Sequence, residues 1–66
     1  MEKDWVKVKS FAKLYIAEIA KEVLKDNEIE SVILNKQDTS YLIGDIEIYV
    51  AKSNAAKAIE LLEQLN

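Results

Sequence analysis

The chain has 66 residues, half of them apolar and about a third charged, with a net charge of −3. This is one domain, residues 1–66, and a chain so short buries only ~60% of the surface its unfolded form exposes. It contains no His, Arg, Cys or Pro. That excludes disulfides, the usual zinc, copper and iron ligand sets, triads with a histidine base, and two-point guanidinium grips on phosphate.

Trp5 to Lys9 alternates and reads as a first strand, with Val6 and Val8 inward and Trp5, Lys7 and Lys9 on the other face. Ser10 is placed to cap the helix that follows, predicted over Phe11 to Asp26. There Ile16, Ile19, Ala20, Val23 and Leu24 form one apolar stripe, and the small Ala17 and Ala20 permit close approach to a sheet. Leu14 lies off that stripe, among Glu18, Lys21 and Lys25. Asn27 is expected to take the left-handed conformation that ends the helix.

Glu30 to Asn35 reads as a second strand, with Val32 and Leu34 on one face and Ser31, Ile33 and Asn35 on the other. A polar connection runs from Lys36 to Ile43, and Gly44 stands at the entry to the third strand. The third strand alternates without a break: Ile46, Ile48 and Val50 inward, Asp45, Glu47 and Tyr49 outward. Ser53 or Asn54 then caps a second helix reaching about Leu65, with Ala55, Ala58, Ile59, Leu62 and Leu65 as its buried stripe.

One apolar face per strand and one apolar stripe per helix predict an α+β two-layer sandwich in the order β-α-β-β-α, with both helices on the same side of the sheet. The short second connection makes the last two strands antiparallel. The first crossover then places the third strand centrally, giving an antiparallel sheet of order 2-3-1. This is a ferredoxin-like arrangement lacking its fourth strand. It leaves one sheet face and two edges uncovered.

The uncovered face is the first candidate site. It is expected to carry Trp5, Lys7, Lys9, Ser31, Ile33, Asn35, Asp45, Glu47 and Tyr49, and the interface is assigned to Trp5, Lys7, Ile33, Glu47 and Tyr49. The second candidate is the loop from 35 to 43, where Asn35, Lys36, Asp38 and Tyr41 would meet a ligand or partner. No carboxylate pair is placed for acid–base work: Glu18 and Glu22 sit among lysines on a solvated helix face. One glycine is too few for a phosphate cradle, no calcium-loop spacing occurs, and no catalytic, metal or cofactor residue is assigned. The acidic balance argues against nucleic acid. No apolar run reaches the ~20 residues of a membrane span and no secretory core is visible, so the expected location is the cytoplasm.

Four stretches, WVKVKSF, AEIAKEVLKDNEIES, VILNKQD and YLIGDIEIYVAKSNAAKAIELL, resemble the putative prokaryotic signal-transducing protein family, small domains related in fold to PII-type regulators. The likeness spans nearly the whole chain and rests on apolar spacing, helix ends and the GDIEIYV strand. These motifs are specific for the fold and say little about chemistry. Members often carry glycine after the asparagine that ends the first helix, where this chain has Glu28. In PII-type proteins the loop between strands two and three contacts partners, which by analogy is the segment 35–43 here. The PII nucleotide pocket and trimer contacts have no match. The expectation is a non-enzymatic module acting by self-association, a dimer being favoured, or by docking a protein on the open sheet face or edge. The alternative is a sensor of a polar metabolite near the loop 35–43 or in a dimer cleft.

Overall fold

The computed structural model describes residues 4–37 and 45–65. Its elements are β1 (Trp5–Phe11), α1 (Leu14–Asp26), β2 (Ser31–Asn35), β3 (Ile46–Ala51), a 3-10 turn (Lys52–Asn54) and α2 (Ala55–Leu62). The three strands form one antiparallel sheet in the order β1-β3-β2. The predicted α+β order and central third strand are therefore present. α1 packs on all three strands, α2 packs on β1 and β3, and the helices touch each other. The core lies between the sheet and this helix layer: Ile46, Ile48 and Val50 from β3, Phe11 from β1, Ala17, Ala20 and Leu24 from α1, Ala58 and Leu62 from α2, and Ile29. Ala17 and Ala20 are fully buried, as their small volume permits where a helix presses on a sheet.

β1 is longer than its alternation indicates, because it contains a bulge. Lys7 lies opposite Tyr49 and Lys9 opposite Ile48, so Val8 is an extra residue. An inserted residue reverses the alternation of everything beyond it. Lys9 therefore leaves the open face and joins the helix side, contrary to the expected placement. Its Nζ donates to the Leu62 carbonyl oxygen at 3.0 Å and sits 5.8 Å from the centroid of the Phe11 ring. A cation there complements the negative end of α2. The same shift brings Phe11 into the sheet opposite Ile46 rather than into a helix, so α1 starts at Leu14. Ser10 is not its cap; Lys13 occupies the cap position without a side-chain bond.

α1 ends at Asp26 as expected, but Asn27 is not the left-handed residue that closes it. Asn27 has φ −104°, and the left-handed residue is Glu28, with φ 61°. Glu28 N–H donates to the Lys25 carbonyl at 3.0 Å, and Ile29 N–H to the Leu24 carbonyl at 2.8 Å. This pair of bonds is a Schellman motif, and its usual apolar contact is supplied by Ile29 and Leu24, both in the core. The glycine that the resemblance implies would fall at this position of positive φ, and here glutamate fills it.

The apolar stripes differ from expectation at two places. Ile19 of α1 and Ile59 of α2 are about half exposed. With Ala17, Ala20 and Leu24 centred on the sheet, Ile19 falls more than a quarter-turn round the helix from the contact line. α2 is shorter than predicted, ending at Leu62, and Asn54 makes no side-chain capping bond. Leu65 still packs against the core beyond the helix end.

Candidate functional site

The face of the sheet turned away from the helices is built from β3 outward. Cross-strand neighbours share a face. Tyr49 lies between Lys7 and Val32, Glu47 between Ser10 and Leu34, and Ala51 beside Trp5. The open face thus carries Trp5, Lys7, Ser10, Val32, Leu34, Glu47, Tyr49 and Ala51. Val32 is 41% exposed and Leu34 44%. Trp5 and Tyr49 are half-buried.

Ile33 does not belong to this surface, and its assignment to the interface is corrected. It lies opposite Ile48 on the helix side, packed against the core, together with Ser31 and Asn35. The residues that replace it are Val32 and Leu34. In the run Val32-Ile33-Leu34 apolarity cannot set the parity, and polar Ser31 and Asn35 point to the wrong answer. A usable signal did exist in the flanks. Glu30 and Lys36 are charged, lie an even number of residues from Val32 and Leu34, and so put those two on the solvated side. Ser31 and Asn35 are uncharged and more readily buried.

Glu47 is the centre of the open face. Its side chain is only 8% exposed although no helix covers it. Tyr49 Oη donates to its Oε1 at 2.8 Å, Lys36 Nζ lies 3.2 Å from the same oxygen, and Lys7 Nζ lies 3.4 Å from Oε2. Every carboxylate oxygen is engaged. The Tyr49 hydrogen bond holds the Glu47 carboxyl below its ordinary value near 4.5; burial opposes this, and the two lysines assist. The same bond pushes the Tyr49 phenol above its ordinary value of 10.0. A carboxylate so held is ionised at neutral pH, with a partner on each of its oxygens.

Of the loop residues, Asn35 accepts the Gln37 N–H on Oδ1 at 2.8 Å, and Lys36 serves Glu47 while its N–H donates to the Asp45 carbonyl at 3.0 Å. Asp38 and Tyr41 lie outside the described residues. Gln37 Nε2 donates to the Ala12 carbonyl, which carries the chain across the end of β3 towards β1. Leu14 and Tyr15 are exposed beside Ala12, Lys13 and Gln37. Among the described residues no group of three or more Asp or Glu could hold a metal ion, and no helix is long and apolar enough to cross a membrane.

This geometry is that of a sheet left bare on one face, with an ion-paired carboxylate at its centre. A family model described as putative prokaryotic signal transducing protein matches residues 5–66. The chain belongs to that family. No curated protein and no solved structure matches it. Signal transduction is the role that the family description carries.

Proposed function

We propose that this chain is a non-enzymatic signalling module that docks a protein partner on its open sheet face. The observation that supports this reading is the Glu47 cluster with its surroundings. Trp5, Tyr49, Val32 and Leu34 present apolar surface on one side of the sheet, and the carboxylate among them is already satisfied by Tyr49, Lys7 and Lys36. A buried charge left unpaired costs several kcal/mol. Because Glu47 brings its own partners, a protein can cover the face without stranding a charge, and the aromatic side chains supply the anchors typical of interface centres. The cytoplasmic setting expected from composition belongs to the same reading.

The test is capture from extracts of the source cell with wild type, Trp5→Lys, Leu34→Lys and Ile59→Lys. The two face variants are expected to lose the captured protein, while Ile59→Lys, which changes an exposed helix position, keeps it. Capture of the same protein by all four chains would show that the open face is not the docking surface.

A further inference from the structure

The two edges of the sheet are treated differently. β1 carries the bulge at Val8, has Lys7 and Lys9 on its two faces, and sends Lys9 across to α2. Bulges and lysines are the usual protection of an edge against pairing. β2, with the sequence Ser-Val-Ile-Leu-Asn, has no charge, no bulge and no proline. Its hydrogen-bonding directions can be derived. Lys36 N–H donates to Asp45, so the even-numbered residues Val32 and Leu34 exchange bonds with Tyr49 and Glu47. The N–H and C=O groups of Ser31, Ile33 and Asn35 therefore point away from β3, at the free edge. Gln37, two residues beyond Asn35, reaches the Ala12 carbonyl with its side chain, on the β1 side of the sheet.

We infer that β2 pairs antiparallel with β2 of a second copy of this chain, about a two-fold axis through Ile33. This register aligns all three outward residues: Ile33 with Ile33 of the second copy, and Ser31 with its Asn35. Each such pair exchanges two bonds, about six in all. Three independent features agree with it. The Ser31 hydroxyl is more than nine-tenths buried and has no hydrogen-bond partner among the described residues. The pairing sets it beside Asn35 of the second copy, whose Oδ1 already accepts from Gln37 and whose Nδ2 is a donor. Charge also matches, since Glu30 then stands opposite Lys36 of the second copy on the open face, twice by symmetry. Finally, Lys21 and Lys25 of α1 border the groove that holds Ser31. With Glu18 they form a stripe of both signs, so two antiparallel copies of α1 bring each Glu18 against lysines of the other.

The inference deepens the docking reading, because pairing at β2 joins two open faces into one continuous surface. It uses different groups from that reading, however, and fails separately. The experiment combines solution mass with cross-linking. The wild-type chain is expected at twice its 7.5 kDa mass. The native sequence has no cysteine, so Val32→Cys and Leu34→Cys give a clean probe. In the proposed register Val32 faces Leu34 of the second copy in a non-hydrogen-bonded pair, with Cα atoms ~4.5 Å apart. An equimolar mixture of the two single variants is expected to form the mixed disulfide roughly tenfold faster than either variant alone. Ile33→Pro deletes an edge-facing N–H together with a side chain packed against the core, and is expected to give a monomer. The cross-linking result stands whether or not that variant folds. A monomer at every concentration, or equal cross-linking in the mixture and the single variants, overturns the inference. A dimer abolished by Trp5→Lys without the mixed disulfide overturns edge pairing and supports stacking of open faces. The mixed disulfide with capture unaffected by Trp5→Lys supports edge pairing and removes the face reading.

Discussion

Replacing Glu28 by glycine should stabilise the domain. Glu28 sits at φ 61°, where its Cβ crowds the following carbonyl, a conformation that costs an L-residue ~1–2 kcal/mol. Glycine removes that strain, but its freer unfolded chain gives back roughly 0.5–1 kcal/mol. A carboxylate at the negative end of α1 is also unfavourable, by at least ~0.3 kcal/mol. The hydrogen bonds of the motif use backbone groups of Leu24, Lys25, Glu28 and Ile29 and survive the change. The net gain is therefore about 1 kcal/mol, which for a domain of this size raises Tm by about 4–8 °C. The assay is a pair of thermal and urea unfolding curves followed by far-ultraviolet circular dichroism. Glu28→Ala is the control, since it removes the charge and keeps the Cβ; it should gain no more than about 0.5 kcal/mol. A Glu28→Gly protein no more stable than wild type would refute the strain argument. Equal gains for Gly and Ala would assign the effect to charge alone.

Lys9→Met should lose about 1 kcal/mol, because it removes the cation at the α2 carbonyl end and its bond to Leu62. Lys7→Met, on the exposed side of the Glu47 cluster, should change stability by less than about 0.5 kcal/mol in the same urea titration. The Glu47 carboxyl is lower in the folded state than in the unfolded chain, so its contribution is complete above its ordinary value near 4.5 and is lost as pH falls through the folded value. Glu47→Gln should remove that acid-side loss from a plot of unfolding free energy against pH. The Tyr49 phenol is raised, so its contribution is present below 10.0 and disappears as pH rises through the folded value; Tyr49→Phe should flatten the alkaline limb. Leu24→Ala, at a fully buried position that also closes the α1 terminus, should cost about 2–5 kcal/mol in the same urea titration.

The element order and the central place of β3 were legible because Asp45 to Val50 alternates without ambiguity and the helices carry clear apolar periods. What was not legible has two physical causes. A bulge is an insertion in pairing, not in composition, so Val6 to Lys9 looks like regular alternation while Lys9 faces the helices. The helix boundary moved with it: once Phe11 pairs with Ile46, it cannot open α1, and Ser10 cannot cap it. Helix-face errors have a different origin. Periodicity identifies a stripe but not its centre, and the small Ala17 and Ala20 define the contact line more strongly than the larger Ile19. Placement on the open face was legible for Trp5, Lys7, Glu47 and Tyr49, whose parity follows from β3 or precedes the bulge, and illegible for Ile33.

The error at Ile33 bears on function. A strand covered on one face needs apolar residues at alternate positions only, as β3 shows with Ile46, Ile48 and Val50 inward and Glu47 outward. β2 breaks that economy with Ile33 packed on the core and Val32 and Leu34 facing water. Val32 and Leu34 stay 41% and 44% exposed in the single chain, so much of their apolar surface gains nothing by folding alone. They also weaken the specification of register, which is hazardous at an unprotected edge. The cost is offset if β2 is covered twice in the working protein, along its edge by another strand and across its face by a partner. If that is so, Val32→Thr with Leu34→Thr should leave the unfolding free energy of the isolated chain within about 1 kcal/mol of wild type while weakening association at least roughly tenfold. A double variant that unfolds the monomer but associates normally when folded would mean that β2 owes its apolar face to folding alone.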